Sequence, residues 1–288
     1  MPTSLSVSIV LFEPDPELLR RTIDALAAAI GHAIDAGLVE IATVTLVDND
    51  ASSANIDDEF NPGVAPRALA PATRWRRIAG HGNVGFGRGH NLVLLESRVV
   101  DRGVGDFHLV LNPDAPLAID ALTVGLSWMR DAPDCAMVAP NARSPVDLPL
   151  FLCKRYPDAL TLLLRAAAPA AIRRHFARRL ERYELRDIVG PSAELQARDV
   201  PLASGCCMLL RREPLAATGG FDPSFFLYFE DYDLSLRIVR GDRWHIDYLP
   251  AMRLVHFGGH AAKKSWAHIR MFAGGAFRFF SKHGWKLV

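Results

Sequence analysis

The chain has 288 residues, of which 50% are hydrophobic and 23% are charged, so it is long and apolar enough to fold around a full core. Lysine plus arginine (33) nearly balances aspartate plus glutamate (32), which excludes a general affinity for nucleic acid. The four cysteines fit neither a disulfide framework nor a zinc-ligand spacing and favour a reduced, cytoplasmic protein.

The N-terminal part alternates strands and helices. Residues 5–12 are apolar and β-branched and predict a first strand; no basic region precedes them, so they do not form a signal peptide. A helical pattern follows, and then a second buried strand over residues 41–47 that stops at Asp48. In βαβ units ligands bind beyond the carboxyl ends of the strands. Asp48 is therefore either a turn or cap residue or a hydrogen-bond partner of a nucleotide base or ribose.

A glycine-rich segment, GHGNVGFGRGHN, occupies residues 80–91 directly before a helical pattern that runs through residue 99. Glycines at this density let a backbone approach a phosphate, and a helix N-terminus favours an anion. The segment is not a dinucleotide fingerprint, because His90 stands where a third glycine is required. A flexible loop followed by a helix cap is the alternative interpretation.

A third interior strand, residues 107–111, ends in the sequence NPDAP. Pro113 and Pro116 stiffen the backbone around Asp114 and fix the direction of its carboxylate. Such placement suits a ligand of a hard divalent cation whose other ligands come from a substrate diphosphate, although a plain turn has the same sequence. A helix over residues 119–129 and a strand over residues 136–139 complete a first half, residues 1–140.

Residues 141–200 interrupt the regular alternation. They are rich in proline and arginine, and their helical segments are basic and amphipathic. This pattern is typical of contact with an anionic lipid headgroup or a phosphorylated acceptor, and equally of a solvated cationic face. We therefore treat residues 141–200 as a helical basic insertion between the first half and an acceptor-side half, residues 201–288, within one compact domain.

The stretch GGFDPSFFLYFEDYDLSLR, residues 219–237, places Glu230 and Asp231 after a run of aromatics where a helix over residues 231–240 begins. Asp231 or Asp233 is expected to cap that helix. Aromatic surroundings raise the pKa of a carboxylate and suit a general base near neutral pH, whereas a capped helix start is the alternative.

Two late strands, residues 244–249 and 252–255, lead to His256. Residues 265–283 predict an aromatic, basic helix that rests on a membrane surface or on the core.

Eight short stretches occur in the order found in family 2 glycosyltransferases of the GT-A fold, and the chain most closely resembles their rhamnosyltransferase-like branch. The stretches are VSIV from residue 7, VDN from 47, NVGFGRGHN from 83, LNPD from 111, SG at 204, GGFD from 219, FED with DLSLR from 229, and His256. The resemblance covers nearly the whole chain. It implies an α/β fold: a Rossmann-like, mixed but mainly parallel sheet flanked by helices, with the basic insertion and a C-terminal helix.

The resemblance also assigns roles to residues. Asp48 would bond the pyrimidine of a nucleotide-sugar donor, and Asp114 and His256 would bind Mg²⁺ or Mn²⁺ at the donor diphosphate. Asp231 would be the general base, Glu230 would contact the acceptor, and Asp233 would cap the helix that holds Asp231. The remaining contacts with the nucleotide-sugar donor would be Asn83, Gly85, Phe86, Gly87, Arg88, Asn91 and Asn112. Asn112 replaces the first aspartate of the family's Asp-x-Asp motif. The remaining contacts with the acceptor would be Ser204, Gly205 and Tyr228.

The implied activity is an inverting, metal-dependent transfer of L-rhamnose from dTDP-rhamnose onto a glycan or a polyprenyl-diphosphate-linked acceptor. The setting would be bacterial surface polysaccharide synthesis such as O-antigen assembly, in the cytoplasm with peripheral contact at the inner membrane. A UDP-sugar donor and a catalytically silent glycan- or nucleotide-binding subunit are alternatives. A sugar nucleotidyltransferase is disfavoured, because it requires a basic, glycine-rich loop after the first strand, where this chain has the acidic sequence FEPDP.

Overall fold

The structure is a computed structural model that describes residues 3–50, 72–99, 106–258 and 266–287, with the backbone alone over residues 95–99. The described residues form a mixed sheet flanked by helices. Its strands are β1 (Thr3–Leu11), β2 (Val39–Asp48), β3 (Thr73–Ile78), β4 (Phe107–Leu111), β5 (Cys135–Arg143), β6 (Pro149–Leu150), β7 (Cys207–Arg211) and β8 (His245–Val255). The helices are α1 (Pro16–Asp35), α2 (Phe86–Val99), α3 (Ala121–Asp131), α4 (Ala159–Ala167), α5 (Ala170–His175), α6 (Ala177–Tyr183), α7 (Arg186–Val189), α8 (Arg212–Thr218), α9 (Glu230–Ile238) and α10 (Trp266–His283).

The direction of the strands decides where a site can form. The strand order is β3-β2-β1-β4-β7-β5-β6, with β8 paired to β5. Strands β1 to β4 are parallel, β7 is antiparallel to both β4 and β5, and β8 is parallel to β5. Because the two reversals cancel, β5 and β8 run in the same direction as β1 to β4. The carboxyl ends of these six strands therefore share one edge of the sheet, and β7 begins at that edge.

Apolar side chains cover both faces of the sheet, as the alternation along β7 shows. Cys207 and Leu209 pack with α1 and α3 on one face, whereas Met208 and Leu210 pack with α8 and α9 on the other. A third apolar cluster joins α4 to α10 through Leu162, Phe225, Phe229, Phe279 and Phe280. The predicted α/β fold is confirmed, and the helix predicted at the C-terminus packs on the core through this third cluster.

Two serine hydroxyls in the buried strand β1 form hydrogen bonds with buried histidines. Ser6 Oγ lies 2.7 Å from His108 Nδ1, and Ser8 Oγ lies 2.8 Å from His108 Nε2 and 2.6 Å from His90 Nδ1. Burial lowers the pKa of His108 to about 3 and also lowers the pKa of His90, so both rings are neutral. This network fixes the start of α2, which carries His90, against the centre of the sheet.

Two elements differ from the sequence prediction. Residues 73–78, whose sequence is TRWRRI, form the edge strand β3, which the sequence did not predict. Basic side chains are compatible with an edge strand because one side of it faces solvent. Residues 244–255, predicted as two strands, form the single strand β8, whose register against β5 shifts beyond Leu249.

The insertion folds as four short helices, α4 to α7, as predicted. Asp158 caps α4 through the backbone N–H of Thr161, and Pro169 precedes α5, so the sequence divides the segment into short pieces. Within the part of the chain that the structure describes, no helix has the length and apolarity needed to cross a membrane.

Candidate active site

The polar segments predicted from sequence meet at the carboxyl edge of the sheet. Asp48 ends β2, Asn112 and Asp114 follow β4, and His256 follows β8. Residues 204–206 precede β7 and enter from the same edge. The backbone N–H of Asn112 donates to the carbonyl oxygen of Cys206 at 2.9 Å, so the segment before β7 lies directly beside the end of β4.

Asp114 and His256 converge on one another. Asp114 Oδ1 lies 3.4 Å from His256 Nε2, and both side chains are largely buried. Burial opposes a charge on His256, but contacts with Cys206 and with the Asp114 carboxylate outweigh it and raise the pKa of the ring. A carboxylate oxygen and an imidazole nitrogen that meet at a strand end form a donor pair that fits a divalent cation such as Mn²⁺. The pair leaves room in the coordination sphere for ligands from a substrate.

Asp231 lies in the first turn of α9 and contacts the segment of residues 204–206. Its Oδ2 accepts the N–H of Gly205 at 2.9 Å, and its Oδ1 accepts the N–H of Tyr232 at 2.9 Å. Burial raises the pKa of Asp231, whereas these two hydrogen bonds act in the opposite direction. A partly buried carboxylate with a raised pKa, held in place by backbone donors, is suited to accept a proton near neutral pH.

Gly205 cannot be replaced without disturbing this arrangement. A Cβ atom at position 205 would lie 2.8 Å from the Phe86 ring and 3.5 Å from Asp231 Cβ. The absence of a side chain allows the Gly205 N–H to reach Asp231 while Phe86 packs on the other side. Ser204, beside it, accepts the N–H of Cys206 at 3.4 Å through its hydroxyl and so belongs to the same turn.

Glu230 precedes Asp231 and is 3% exposed. Burial and the neighbouring Asp231 carboxylate raise the pKa of Glu230. Among the described residues, Glu230 Oε2 has no hydrogen-bond partner. A buried polar atom without a partner is costly, and a substrate hydroxyl is a suitable partner for it.

Backbone strain is concentrated immediately before these carboxylates. Tyr228 and Phe229 both adopt left-handed conformations, with φ of 72° and 71°. Each such residue costs about 1–3 kcal/mol, and strain of this kind persists where surrounding contacts hold it. Here α10 supplies the contacts: the Tyr228 hydroxyl bonds His268 Nδ1 at 2.8 Å, and the Phe229 ring packs against Phe272 and Phe279.

The glycine-rich segment before α2 packs against the stretch that leads to Glu230. The Phe86 N–H donates to the carbonyl oxygen of Phe226 at 3.0 Å, and Asn91 exchanges two hydrogen bonds with the Phe221 backbone at 2.7 and 2.9 Å. Arg88 Nε donates to the carbonyl oxygen of Pro223 at 2.5 Å. These contacts join the predicted donor half to the predicted acceptor half.

The structure gives a different reason for the glycines than the sequence did. Gly85 has φ +88°, and a Cβ there would lie 2.2 Å from the carbonyl oxygen of Phe226, while a Cβ at Gly87 would lie 2.8 Å from Phe221 Cβ. Both glycines are therefore required by close packing within the protein. Asn83 is exposed, and its Oδ1 accepts the Gly85 N–H at 3.0 Å.

Asp48 is oriented by partners that the sequence did not indicate. Its Oδ2 pairs with the guanidinium group of Arg77 on the neighbouring strand β3, and its Oδ1 accepts the N–H of Asp50 at 2.9 Å. Asn49, which is 1% exposed, donates to the carbonyl oxygen of Gly85 at 3.0 Å. The end of β2 thus both presents Asp48 and supports the loop before α2.

Asp233 does not cap α9, contrary to the sequence prediction. The residue at the N-terminal boundary is Phe229, and no side chain caps the helix. Asp233 is completely buried and instead contacts Arg237 Nε at 2.7 Å, Lys282 Nζ at 2.6 Å and His283 Nε2 at 2.8 Å. The side chain therefore ties α9 to the end of α10, through partners about fifty residues away in sequence that no local pattern reveals.

A second group of side chains that could bind a metal ion lies at the opposite edge of the sheet, where β5 and β8 begin. Cys135, His245 and Asp247 each offer a ligand atom within 4.8 Å of the others. However, Arg198 lies 2.8 Å from His245 Nε2, and Trp128 donates to Asp247 Oδ2 at 2.8 Å. The position of these groups separates them from the site at the carboxyl edge.

Comparisons with known proteins agree with this geometry. The profile of the family described as "Glycosyltransferase like family 2" matches residues 158–273, which include Asp231 and His256. The N-acetylglucosaminyl-diphospho-decaprenol L-rhamnosyltransferase of Mycobacterium tuberculosis is 28% identical over 275 residues, covering 89% of this chain and 77% of that protein. Rhamnosyltransferase WbbL of Escherichia coli is 39% identical over 62 residues, 21% of this chain and 23% of that protein.

Solved structures share the fold at low sequence identity. A mannosyltransferase of Pyrobaculum calidifontis, solved with GDP-Man and Mn²⁺, has a TM-score of 0.55 and 17% identity, covering 98% of this chain and 64% of that one. GalNAc-T7, solved with UDP, GalNAc and Mn²⁺, has a TM-score of 0.57 and 13% identity, covering 97% of this chain and 48% of that one. The chain therefore spans less than two thirds of each of these structures and shares their GT-A fold.

The fold, the family match over residues 158–273 and the curated relatives support a glycosyltransferase of the family 2 type. Within that class its curated relatives make it rhamnosyltransferase-like. The enzyme class and the family resemblance predicted from sequence are thus confirmed.

Proposed function

We propose that the protein is an inverting, metal-dependent transferase that moves L-rhamnose from dTDP-rhamnose onto a lipid-linked acceptor in bacterial surface polysaccharide synthesis. The observation that carries the proposal is that one short segment of the chain links Asp231 to the Asp114–His256 pair. Residues 204–206 contact both, since Gly205 donates to Asp231 and Cys206 contacts His256. The proposed proton acceptor and the proposed cation site thereby adjoin one short segment.

The donor half supplies binding and charge compensation. Asp114 and His256 would hold Mg²⁺ or Mn²⁺, which offsets the negative charge that develops on a leaving nucleoside diphosphate. Asp48, oriented by Arg77, is the proposed partner of the pyrimidine base. Asn83 and Asn112 are the proposed polar contacts of the donor, whereas Gly85, Phe86, Gly87, Arg88 and Asn91 shape the loop by packing on residues 221–230.

The acceptor half supplies the base. Asp231 accepts the proton of the acceptor hydroxyl as that oxygen attacks the anomeric carbon and the bond to the diphosphate oxygen breaks. A single displacement inverts the anomeric centre, because attack and departure take place on opposite faces. Glu230, through its buried Oε2, is the proposed contact for an acceptor hydroxyl, with Ser204, Gly205 and Tyr228 forming the adjacent wall.

The relative from M. tuberculosis is named for a diphosphate-linked lipid acceptor, and this name supports an acceptor of the same class here. Cytoplasmic location and peripheral contact with the membrane stay predictions. Membrane contact is supported by exposed apolar side chains on α4, on α10 and after α10. These side chains are Leu163, Trp266, Phe277, Trp285 and Leu287. Cosedimentation of the protein with lipid vesicles tests membrane contact, and its absence would reject it.

Thermal unfolding with nucleotide-sugars tests the donor assignment. A ligand present at a hundred times its Kd stabilises the native state by about 2.7 kcal/mol, which corresponds to a rise in Tm of about 5 °C for a chain of this size. With Mn²⁺ present, dTDP-rhamnose is expected to raise the Tm more than UDP- or GDP-sugars at equal concentration. A larger shift with a UDP-sugar would overturn the proposed donor and leave the transferase class intact.

A further inference from the structure

Three cationic side chains of the insertion converge on a single carboxylate. Arg165 from α4 and Arg186 from α7 both contact Glu184, the latter at 2.6 Å, and Lys154 Nζ lies 3.9 Å from Glu184 Oε1. Glu184 is largely buried, as is Lys154, whereas Arg165 and Arg186 each keep 39% of their side-chain surface exposed. The cluster thus carries excess positive charge and is open on the side of the two arginines.

Such crowding is unfavourable for the free protein. Burial, together with the nearby charge of Arg165, lowers the pKa of Lys154 to about 7. One carboxylate cannot offset the charges of both arginines, and like charges in a partly buried cluster repel one another. An anionic ligand with more than one charge would relieve this repulsion. Arginine is well suited to bind such a ligand, because its planar guanidinium group donates two parallel hydrogen bonds to phosphate oxygens.

The cluster adjoins the acceptor side of Asp231 through two contacts. The hydroxyl of Tyr183, the residue before Glu184, lies 3.0 Å from the hydroxyl of Tyr232, the residue after Asp231. In addition, the backbone N–H of Lys154 donates at 2.9 Å to the carbonyl oxygen of Leu202, which precedes the 204–206 segment. The insertion is therefore attached to both segments that position the proposed base.

A cavity beside Arg186 provides space for a ligand. Its volume is about 310 Å³, and its lining is Ala170, Arg173, Arg174, Ala177, Leu180, Glu181 and Arg186. Three arginines face one glutamate there, so the charge excess of the cluster continues along the opening. The alanines and the leucine provide apolar wall next to the charged groups, as an amphiphilic ligand requires.

We propose that Lys154, Arg165 and Arg186 form a binding site for a diphosphate, namely the diphosphate group of the lipid-linked acceptor. The chemical class follows from the cluster and the cavity, whereas its assignment to the acceptor rests on the proposed function. The diphosphate would neutralise the cations, and the sugar attached to it would extend toward Asp231. No group transfer takes place at the cluster itself, which positions the acceptor.

Calorimetry with farnesyl diphosphate tests the site directly. EDTA is present throughout, so that a cation at Asp114 does not contribute to binding. The wild-type protein is expected to bind farnesyl diphosphate and not farnesol, and Arg165→Gln and Arg186→Gln are each expected to weaken binding at least about tenfold. Arg243→Gln is the matched control, because Arg243 is an exposed arginine at the opposite edge of the sheet that pairs with Glu213.

Glu184→Gln separates ligand binding from a merely structural role. This variant removes the one carboxylate that competes for the arginines, so farnesyl diphosphate is expected to bind more tightly than to the wild type. The loss of the counter-charge also lowers the Tm of the free protein, and the diphosphate restores it. A damaged fold cannot produce tighter binding. Weaker binding by Glu184→Gln, or unchanged binding by Arg165→Gln and Arg186→Gln, overturns the site.

Two further ligands identify the source of the diphosphate. If inorganic pyrophosphate binds as well as farnesyl diphosphate, the site recognises a free diphosphate and the acceptor assignment is wrong. If phosphatidylglycerol vesicles displace farnesyl diphosphate while phosphatidylcholine vesicles do not, the cluster is a membrane surface and the assignment is again wrong. If the wild type binds farnesyl diphosphate as expected but transfers no sugar, the proposed function is refuted and the anion site is retained.

Discussion

The Asp231→Asn variant is expected to lose sugar transfer by about a hundredfold or more, the scale of a missing general base, while donor binding stays unchanged. Asparagine has nearly the same shape and keeps one oxygen, which can accept from one of the two N–H groups, of Gly205 and Tyr232, that now bond the carboxylate. It cannot take the proton of the acceptor hydroxyl. Initial rates with a lipid-diphosphate acceptor give the loss, and a thermal shift with dTDP-rhamnose reports donor binding.

The pH profile gives this prediction a second readout. Asp231 must be ionised to act, so kcat/KM falls as pH decreases through its pKa, and burial places that pKa above the ordinary aspartate value of about 4. In Asp231→Asn this acid limb is expected to disappear together with the activity. The control is Glu213→Gln on α8, an exposed glutamate that pairs with Arg243. Near-normal turnover by Asp231→Asn would remove Asp231 from the role of base.

Asp114→Ala is expected to abolish the part of donor affinity that depends on the metal. Changes around metal ligands commonly cost about 10–100-fold in metal affinity, and the loss of a ligand costs at least that much. For the wild type we expect dTDP to bind more tightly with Mn²⁺ than with EDTA. For Asp114→Ala the two affinities are expected to be nearly equal. Calorimetry of dTDP under both conditions measures the difference.

Asp131→Ala is the matched control for this measurement, because Asp131 is an exposed aspartate at the end of α3 whose carboxylate contacts Arg130. His256→Ala is expected to resemble Asp114→Ala, since its Nε2 lies beside the Asp114 carboxylate. If the wild type binds dTDP equally well with Mn²⁺ and with EDTA, the pair is not a metal site. In that case the charge of the leaving group must be offset by other residues.

The sequence predicted those parts of the fold and site that depend on local pattern and order along the chain. The strand pattern predicted that Asp48 lies beyond the carboxyl end of a parallel strand, and the family resemblance implied the pairing of Asp114 with His256. Aromatic residues before Glu230 and Asp231 predicted carboxylates with raised pKa values, and burial raises the pKa of both, although Asp231 is only partly buried. These inferences required no knowledge of which distant segments touch.

The sequence did not predict contacts made across long separations. The Gly205 N–H that holds Asp231 lies 26 residues away, and the partners of Asp233 include Lys282 and His283 on another helix. Gly85 was expected to admit a phosphate, whereas the structure shows that the carbonyl oxygen of Phe226 occupies the space of its missing side chain. In each case a residue type was recognised, but its purpose depends on a neighbour that only the folded chain supplies.

The link between the insertion and the base is a further case. Tyr183 and Tyr232 are 49 residues apart, and each lies next to a carboxylate, Glu184 or Asp231. The basic composition of residues 141–200 indicated an anionic partner without indicating where it binds. In the folded protein the pairing of the two tyrosine hydroxyls connects the cationic cluster to the acceptor side of the site.

The most direct test of the central claim is proton NMR of the product formed from dTDP-rhamnose and a soluble lipid-diphosphate acceptor in the presence of Mn²⁺. A single displacement assisted by Asp231 predicts a new glycosidic bond whose anomeric configuration is opposite to that of the donor, formed together with one equivalent of dTDP. A product that keeps the donor's configuration, or release of dTDP without any glycosidic product, would contradict the account.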